Sequence, residues 1–302
     1  MKELKKQKIG FIGLGIMGKP MALNLVKEGY SLSVCDIRPE PVQELAALGA
    51  TVCDTPRQVA GQCQVIITML PNSPEVRQVA LGENGIIEGA RPGTIVVDMS
   101  SIAPLASVEI HGKLKEKGIE MLDAPVSGGE PKACEGTLSI MVGGDENIFE
   151  QVRELLLVMG SSAVLVGDIG SGNTTKLANQ IIVALNIAAM SEAMVLAEKS
   201  GVDPEKVYQA IRGGLAGSTV LDAKMPLVLK GNFKPGFRIA LHIKDLQNAL
   251  GTAHELGTPV PLTSLVMEFM QALKTGGKAG DDHGGIIRFY ENLAGVEVRS
   301  RG

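Results

Sequence analysis

Short apolar runs alternate with helix-length segments through the first 168 residues of this 302-residue chain, and no other feature constrains the fold as much. The order is strand, helix, strand throughout, because each run suits a buried strand and each segment between runs suits a helix. Such repetition predicts a doubly wound, mainly parallel sheet of the α/β class with right-handed crossovers. The predicted strands are Lys8–Ile12, Ser31–Asp36, Val65–Met69, Ile95–Met99, Glu120–Leu122, Leu138–Val142 and Ala163–Val166.

The pattern changes after the glycine-rich stretch at 167–172, beyond which the sequence offers no convincing strand. One long helix is predicted over Asn173–Ser200, and its apolar residues cover several faces, so it must be buried. We therefore expect an α/β domain over residues 1–168 and an all-helical domain over residues 169–302 that starts with this long linking helix. Because the helix carries more apolar surface than one domain can cover, we also expect a homodimer or homotetramer. The later helices are predicted at Pro204–Ile211, Ser218–Leu229, Ile239–Leu256, Leu262–Lys274 and Gly285–Leu293.

Composition and charge exclude several classes of protein. The 33 acidic residues outnumber the 29 basic ones, giving a net charge of −4, and aromatic residues make up 3% of the chain. Neither a basic surface nor a stacking platform for nucleic acid is therefore expected. The four cysteines and four histidines show no zinc-binding spacing, so we expect no metal. Scattered cysteines in a chain of this length favour a reduced, intracellular protein.

The N-terminus imitates a secretion signal, because lysines at positions 2, 5, 6 and 8 precede the apolar run from Ile9 to Met17. We reject a signal peptide because the run is short, is interrupted by glycines and ends without a small-residue cleavage site. No stretch reaches the roughly 18 consecutive apolar residues of a membrane span. The sequence therefore predicts a cytoplasmic protein with no membrane partner.

A G-x-G-x-x-G motif lies between the first predicted strand and the helix that follows it. In a Rossmann-type sheet the first glycine permits the tight turn, the second lets the backbone approach a pyrophosphate, and the third lets the helix pack closely on the strand. The phosphates bind at the helix N-terminus, where free N–H groups and the helix dipole favour an anion. The motif alone is a weak signal, but its flanking strand and helix favour a dinucleotide site. The predicted contacts are Gly13, Leu14, Gly15, Ile16, Met17 and Gly18.

The second predicted strand ends in Asp36, 18 residues beyond Gly18, close to the spacing expected of a ribose-binding acid. A carboxylate there accepts hydrogen bonds from the adenosine 2′-hydroxyl and repels a 2′-phosphate, which favours NAD over NADP. Arg38 is a competing signal, since an arginine can pair with a 2′-phosphate; it could equally be a solvated turn residue. The cofactor prediction is therefore NAD, with NADP possible.

The segment Asp123–Gly129 follows another predicted strand and suits an anionic substrate. Ser127 offers a hydroxyl, and Gly128 and Gly129 offer exposed backbone N–H groups, to a group such as a carboxylate. A tight structural loop would have the same composition, so this segment by itself leaves both interpretations open.

Lys176, Asn179 and Gln180 lie at i, i+3 and i+4 near the start of the long helix, so they share one face. In an apolar stretch, desolvation can tune the proton affinity of a lysine. A surface lysine that extends into solvent is the simpler alternative, and the helix alone does not exclude it.

Four motifs in order resemble the β-hydroxyacid dehydrogenase family, to which 3-hydroxyisobutyrate dehydrogenases belong. They are the glycine motif at 13–18, the segment Asp123–Gly129, Gly172-x-x-x-Lys176, and Lys244-Asp245-Leu246. The resemblance covers essentially the whole chain and implies reversible hydride transfer between NAD(P) and a small hydroxy acid. Within the family, long stretches resemble the enzymes that reduce tartronate semialdehyde to D-glycerate. Oxidation of 3-hydroxyisobutyrate or 4-hydroxybutyrate is the nearest alternative, and a dinucleotide sensor without catalysis is an alternative of another class.

The resemblance also implies residue roles. Lys176 matches the catalytic lysine, which donates a proton to the aldehyde oxygen in reduction and removes the hydroxyl proton in oxidation. Ser127, Gly128 and Gly129 match the loop that anchors the substrate carboxylate. Along the cofactor, the resemblance implies contacts from Met69, Leu70, Pro71, Ser100, Ser101 and Lys244.

One position departs from the pattern of many family members, which carry asparagine four residues after the catalytic lysine. Here that residue is Gln180, preceded by Asn179, and either amide can donate to and accept from a substrate hydroxyl. Which of the two contacts the substrate stays open. The longer amide favours recognition of a small, polar substrate. His242 is expected to be structural, and His283 carries no assigned role.

Overall fold

The computed structural model describes residues 7–301, so the lysines at positions 2, 5 and 6 lie outside it. The chain divides into two compact units, and the boundary between them in the chain falls inside one helix. The first unit ends at Lys176 and the second begins at Leu177. The expected α/β part and all-helical part are both present, which confirms the predicted fold class.

The first unit contains, in its described part, nine strands and the start of a ninth helix. The strands are β1 (Lys8–Ile12), β2 (Ser31–Cys35), β3 (Thr51–Val52), β4 (Val65–Thr68), β5 (Ile95–Asp98), β6 (Glu120–Asp123), β7 (Val126–Ser127), β8 (Leu138–Gly143) and β9 (Gly160–Gly167). The helices are α1 (Gly18–Lys27), α2 (Pro39–Ala47), α3 (Pro56–Ala60), α4 (Ser73–Leu81), α5 (Ile86–Gly89), α6 (Pro104–Lys115), α7 (Gly129–Glu135), α8 (Glu146–Met159) and α9 (Ser171–Lys199).

The sheet runs in the order β3-β2-β1-β4-β5-β6-β8-β7, with β9 paired to β8. From β3 to β6 all neighbours are parallel. Strands β2 and β3 lie on one side of β1, whereas β4 and the later strands lie on its other side. The strand order therefore reverses between β1 and β4. In such sheets ligands bind outside the carboxyl ends of the strands at this reversal, which is where the loop after β1 lies.

Both faces of the sheet are buried, as a parallel sheet requires. Phe11 and Ile67 belong to one apolar cluster with α1 and α8, whereas Ile12 and Ile66 belong to a second cluster with α4 and α6. Neighbouring residues of one strand therefore enter opposite cores. This explains why these strands read as continuous apolar runs in the sequence.

Two short strands and three short helices were not predicted. β3 and β7 contain two residues each, and α3, α5 and α7 have at most seven, so none is long enough to show a period. β7 and β6 pair with β8 in the antiparallel sense, which adds an antiparallel region to the mainly parallel sheet.

The second unit is helical over its described residues and contains the rest of α9. Its other elements are α10 (Pro204–Ile211), α11 (Thr219–Leu229), α12 (Ile239–Glu255), α13 (Pro261–Leu273), a π turn (Lys274–Lys278), a 3₁₀ turn (His283–Ile286) and α14 (Ile287–Ala294). Ile187, Met194, Leu246 and Met270 lie in its single large apolar cluster. Proline begins α10 and α13, a first-turn position where its missing N–H has no cost.

Helix α9 bears on the expectation that the chain has no membrane span. It is long and apolar enough over an 18-residue window to cross a membrane by length and composition alone. It contains no uninterrupted apolar run of that length, because Asn186, Ser191 and Glu192 interrupt it, but these residues leave the mean hydropathy of the window high. The core helix of a soluble protein passes the same test. Fewer than half of the residues in that window are buried in this chain.

Candidate active site

The three glycines of the loop between β1 and α1 differ in their surroundings: two are required by the packing of the chain itself, and the third is not. Gly13 has a φ of +94°, and a Cβ there would overlap the carbonyl oxygen of Met69. A Cβ on Gly18 would overlap the carbonyl oxygen of Gly13, so the helix could not pack as closely on the strand. At Gly15 the nearest atom would be an Arg38 nitrogen 4.0 Å away. The backbone face at Gly15 is thus open to a ligand, which suits the pyrophosphate of a dinucleotide.

Asp36 and Arg38 are both tied to this loop. The Leu14 N–H donates to Asp36 Oδ2 at 2.5 Å, and the Arg38 backbone N–H donates to Oδ1 at 2.8 Å. The Arg38 guanidinium is 3.3 Å from Oδ1 and also donates to the Leu14 carbonyl at 2.8 Å. The acid that favours NAD and the cation that could bind a 2′-phosphate therefore form one ion pair at the end of β2.

A buried polar network joins the ends of β4 and β5. Asp98 Oδ1 accepts hydrogen bonds from the hydroxyls of Thr68, at 2.8 Å, and Ser100, at 2.5 Å. The Ser100 oxygen in turn accepts from the Leu70 N–H at 2.9 Å. Met69, Leu70 and Ser100, three of the predicted cofactor residues, are thus held beside the loop after β1, and Met69 N–H donates to the Ile12 carbonyl. The neighbouring Ser101 is half-buried and Pro71 is exposed.

Asp123, at the end of β6, fixes the start of α9. Its Oδ1 accepts from the Gly170 N–H at 2.7 Å, and its Oδ2 accepts from the Asn173 N–H at 2.6 Å. The Asn173 side chain accepts from the Ile102 N–H and donates to Ser107. The first turns of α9 are therefore held to the sheet, and they carry Lys176. That lysine is only 7% exposed, so the alternative of a solvated surface lysine is wrong.

The two buried carboxylates of this region hold protons unusually tightly. Burial raises the pKa of Asp98 to about 6, and it raises the pKa of Asp123 to about 6 as well. The hydrogen bonds from Ser100 and Thr68 oppose the shift at Asp98, and the charge of Asp123 adds to it. A carboxyl whose pKa is higher in the folded chain stabilises the fold at low pH, and this contribution is lost as pH rises toward 6.

We therefore expect Asp98→Asn to become more stable relative to the wild type as pH rises. Between pH 5 and pH 7.5 the wild type loses roughly 1 kcal/mol at this carboxyl, whereas the amide does not titrate. Urea unfolding of both proteins across this range measures the difference. Asp54→Asn, at an exposed carboxyl, is the control for the same acid-to-amide change outside the core. An Asp98→Asn difference that is independent of pH would contradict the assignment.

The loop predicted to hold a carboxylate connects β7 to α7. Ser127 is half-buried at the end of β7, and Gly129 begins α7. Gly128 and Gly129 have φ values of +141° and +70°, a region that favours glycine. A Cβ on Gly128 would also crowd the Lys132 side chain. The conformation therefore requires glycines whether or not an anion binds. In the sequence these two glycines, with their backbone N–H groups, directly follow Ser127.

In the second unit, Gln180 lies in a hydrogen-bonded cluster with α12. Its Nε2 donates to Asp245 Oδ2 at 2.6 Å, and its Oε1 accepts from Asn179 Nδ2 at 2.8 Å. Lys244 Nζ is 2.7 Å from the other Asp245 oxygen. The structure therefore brings Asn179, Gln180 and Lys244 together around Asp245, a residue for which the sequence suggested no role.

The two histidines that the sequence left aside form a pair. Nδ1 of His242 is 2.9 Å from Nδ1 of His283, and His242 Nε2 is 3.1 Å from the Gln180 carbonyl oxygen. Both side chains are buried, and both rings contact Phe237 edge-on. That His242 is structural stays a prediction, and its pairing with His283 had no signal in the sequence beyond two isolated histidines.

The grouping of possible metal ligands and the state of the four cysteines can also be described. Among residues 7–301, no group of three His, Cys, Asp or Glu side chains is arranged to hold a metal ion. All four cysteines are free thiols, three of them buried and Cys134 exposed. Burial raises the pKa of Cys35 to about 11 and also raises the pKa values of Cys53 and Cys63.

Two family models match this chain, one in each half. Residues 8–167 match the family model of the NAD-binding domain of 6-phosphogluconate dehydrogenase. Residues 170–290 match the model for the NAD-binding domain of NADP-dependent 3-hydroxyisobutyrate dehydrogenase. The 2-hydroxy-3-oxopropionate reductase of Escherichia coli (strain K12) is 47% identical over 95% of this chain and 98% of its own length. The chain belongs to the β-hydroxyacid dehydrogenase family.

Relatives within this family act on different substrates. The 2-(hydroxymethyl)glutarate dehydrogenase of Eubacterium barkeri is 38% identical over 97% of this chain and 98% of its own length. A solved structure of Mycobacterium tuberculosis 3-hydroxyisobutyrate dehydrogenase with L-serine has a TM-score of 0.87 at 32% identity. It covers 94% of this chain and 99% of that one. This β-hydroxyacid dehydrogenase is therefore an oxidoreductase that acts on a hydroxy acid and binds NAD(P), which confirms the predicted cofactor class.

Asp36 gives a test of cofactor choice in this dehydrogenase. We expect Asp36→Ser to raise the ratio of kcat/KM for NADPH to that for NADH by about tenfold or more. The change removes the negative charge that repels a 2′-phosphate and frees the Arg38 guanidinium to pair with it. Steady-state kinetics with both cofactors measure the ratio, and Glu40→Gln on the exposed start of α2 is the control. A ratio that stays the same would mean that Asp36 does not select the cofactor.

Proposed function

We propose that this protein reduces tartronate semialdehyde (2-hydroxy-3-oxopropanoate) to D-glycerate with NAD(P)H and catalyses the reverse oxidation. The observation that carries the proposal is the 47% identity to the Escherichia coli reductase over nearly the full length of both chains. Gln180 also supports it, because an amide at this position can both donate to and accept from a substrate hydroxyl.

In this reaction the predicted site residues bind three different groups: the dinucleotide, the substrate carboxylate and the substrate hydroxyl. The loop at 13–18 and Asp36 bind the dinucleotide, with Met69, Leu70, Pro71, Ser100, Ser101 and Lys244 along its nicotinamide half. Ser127, Gly128 and Gly129 hold the substrate carboxylate. Asn179 or Gln180 contacts the substrate hydroxyl. The boundary between a cofactor domain and a helical substrate domain is proposed at 168/169.

Lys176 is the proposed general acid and base. The reduced nicotinamide, when bound, supplies the hydride to the aldehyde carbon. The Lys176 ammonium polarises the carbonyl oxygen beforehand and gives it a proton as the new C–H bond forms, so the product is a neutral hydroxyl. In the reverse direction the neutral amine takes the hydroxyl proton. Burial of this side chain strengthens its interaction with the developing alkoxide, because little water competes for it.

The decisive experiment is a side-by-side assay of NADH and NADPH oxidation at 340 nm. The substrates are tartronate semialdehyde and the semialdehydes of 3-hydroxyisobutyrate and 4-hydroxybutyrate. The highest kcat/KM is expected with tartronate semialdehyde. A higher value with a methyl-bearing or longer substrate would assign the protein to another activity of the family. Binding of NAD(H) without any turnover would instead favour a dinucleotide sensor.

We also propose that the protein is a cytoplasmic homodimer or homotetramer. In α9, Ile182 is 59% exposed and Leu196 is 69% exposed, and most of its apolar window is not buried within the single chain. Burying such residues against another copy is favourable. Sedimentation velocity at micromolar concentration should show an oligomer, and a monomer would contradict the proposal.

A further inference from the structure

The carboxylate of Asp245 contacts both Lys244 and Gln180. In the proposed function Lys244 binds the cofactor, whereas Gln180 is a candidate contact of the substrate. The Asp245 side chain is 2% exposed and lies near the start of α12. One oxygen is 2.7 Å from the ammonium of Lys244, the proposed cofactor residue, and the other accepts a 2.6 Å hydrogen bond from the Gln180 amide. A buried carboxylate is stable only with such partners, so the three residues form one unit.

This contact determines which way the Gln180 amide faces. An ionised carboxylate can only accept hydrogen bonds, so the NH₂ group of Gln180 must face Asp245. Its carbonyl oxygen then faces Asn179, whose Nδ2 donates to it at 2.8 Å. A neutral amide at position 245 could either donate or accept, and the preference for one orientation of Gln180 would be lost.

The backbone carbonyl of Gln180 is also held from α12. The Gln180 carbonyl can only accept, so His242 must carry a proton on Nε2 to bond with it. In neutral His242 the other nitrogen, Nδ1, then accepts from Nδ1 of His283. His283 is anchored in turn, because its backbone N–H donates to the Phe237 carbonyl at 2.8 Å. Gln180 is thus fixed from α12 and from the 3₁₀ turn.

We propose that Asp245 is a positioning residue that fixes the orientation of the Gln180 amide, the group proposed to contact the substrate hydroxyl, and so determines preference for a 2-hydroxy semialdehyde. The proposal rests on the proposed function. An amide fixed in one orientation presents a set pattern of donor and acceptor before the substrate arrives. It favours a hydroxyl beside the reacting carbon without an ordering cost, whereas an amide that turns freely discriminates less.

The test compares tartronate semialdehyde with 3-oxopropanoate, which has the same carbon chain without the hydroxyl. We expect Asp245→Asn to lower the ratio of their kcat/KM values by about tenfold, chiefly through the hydroxylated substrate. Loss of the Lys244 ion pair affects both substrates equally and cancels in the ratio. Glu255→Gln, at the exposed end of α12, is the matched control: it makes the same carboxylate-to-amide change away from Gln180, so the ratio should stay within about twofold.

A double-mutant cycle separates positioning from general disturbance. In the background of Gln180→Met, which has no amide to orient, Asp245→Asn should leave the ratio unchanged. If Asp245→Asn alone folds poorly, a double variant with Gln180→Glu and Asp245→Asn exchanges the two groups. The amide at position 245 is then the donor, and the carboxylate at position 180 is the acceptor. This double variant should fold and bind NADH, yet keep the low ratio, because the donor at position 180 is gone.

The outcomes are distinct. An unchanged ratio in Asp245→Asn, an additive cycle, or recovery of the ratio in the double variant with Gln180→Glu and Asp245→Asn would overturn the role of Asp245. Failure of the wild type to reduce tartronate semialdehyde would instead contradict the proposed function, and it is measured independently of any variant.

Discussion

Lys176→Met is expected to lower kcat by about 10³-fold while leaving the affinity for NADH nearly unchanged. Methionine matches the length and apolar stem of lysine but can neither polarise the aldehyde oxygen nor exchange a proton, and general acid–base groups contribute about 10²–10⁴-fold to rates. The lysine is buried at the start of α9, so urea unfolding of both proteins is measured beside kcat. The assay is NADH oxidation with tartronate semialdehyde, and cofactor affinity is read from fluorescence.

Lys199→Met provides the matched control for this prediction. Lys199 lies at the other end of the same helix and donates to the Ala294 carbonyl at the surface. Its replacement should change kcat by less than about twofold, as is usual for exposed contacts. Full activity in Lys176→Met would show that the proton comes from another group and would refute the proposed mechanism.

Gly18→Ala is expected to destabilise the first unit by about 3 kcal/mol and to abolish measurable dinucleotide binding. The added Cβ would overlap the Gly13 carbonyl oxygen and crowd the Phe11 ring. Strand β1 and helix α1 would have to separate, and overpacking of this kind costs about 1–3 kcal/mol. Because Gly13 belongs to the same loop, the phosphate-binding backbone would move as well. Thermal or urea unfolding and NADH titration measure the two effects.

Gly15→Ala separates ligand contact from packing. No atom lies closer than 4.0 Å to a Cβ at this position, so stability should change by less than about 0.5 kcal/mol. Dinucleotide affinity should nevertheless fall by about tenfold or more, because the methyl group occupies the face that approaches the pyrophosphate. Gly112→Ala, in an open position inside α6, should leave dinucleotide affinity intact and stabilise the fold by about 0.5–1 kcal/mol. Normal binding by Gly15→Ala would place the phosphates elsewhere.

The sequence predicted features that depend on residues close together in the chain. The glycine loop is one example, since G-x-G-x-x-G and its flanking strand and helix are local. The long helix is another, since it is a continuous, mostly apolar stretch at 173–200 without proline or glycine. The change from alternating strands to helices near residue 168 was visible for the same reason.

The features that escaped prediction depend on distant residues. Asp98 and Asp123 each end a strand that reads only as an apolar run, and their partners lie up to 50 residues away. Asp245 meets Gln180 across 65 residues, and His242 meets His283 across 41. No local pattern specifies such contacts, because they exist only after the helices pack. The family resemblance pointed to Lys244 and Gln180 but not to the carboxylate that joins them.

The different environments of the four thiols have a practical consequence. Cys35, Cys53 and Cys63 are buried and have raised pKa values, so very little reactive thiolate forms at neutral pH. Cys134 is exposed on α7, a few residues after Gly128 and Gly129. A maleimide dye should therefore label the unmodified protein at Cys134 alone. It would report on the loop proposed to hold the substrate carboxylate without any engineered cysteine.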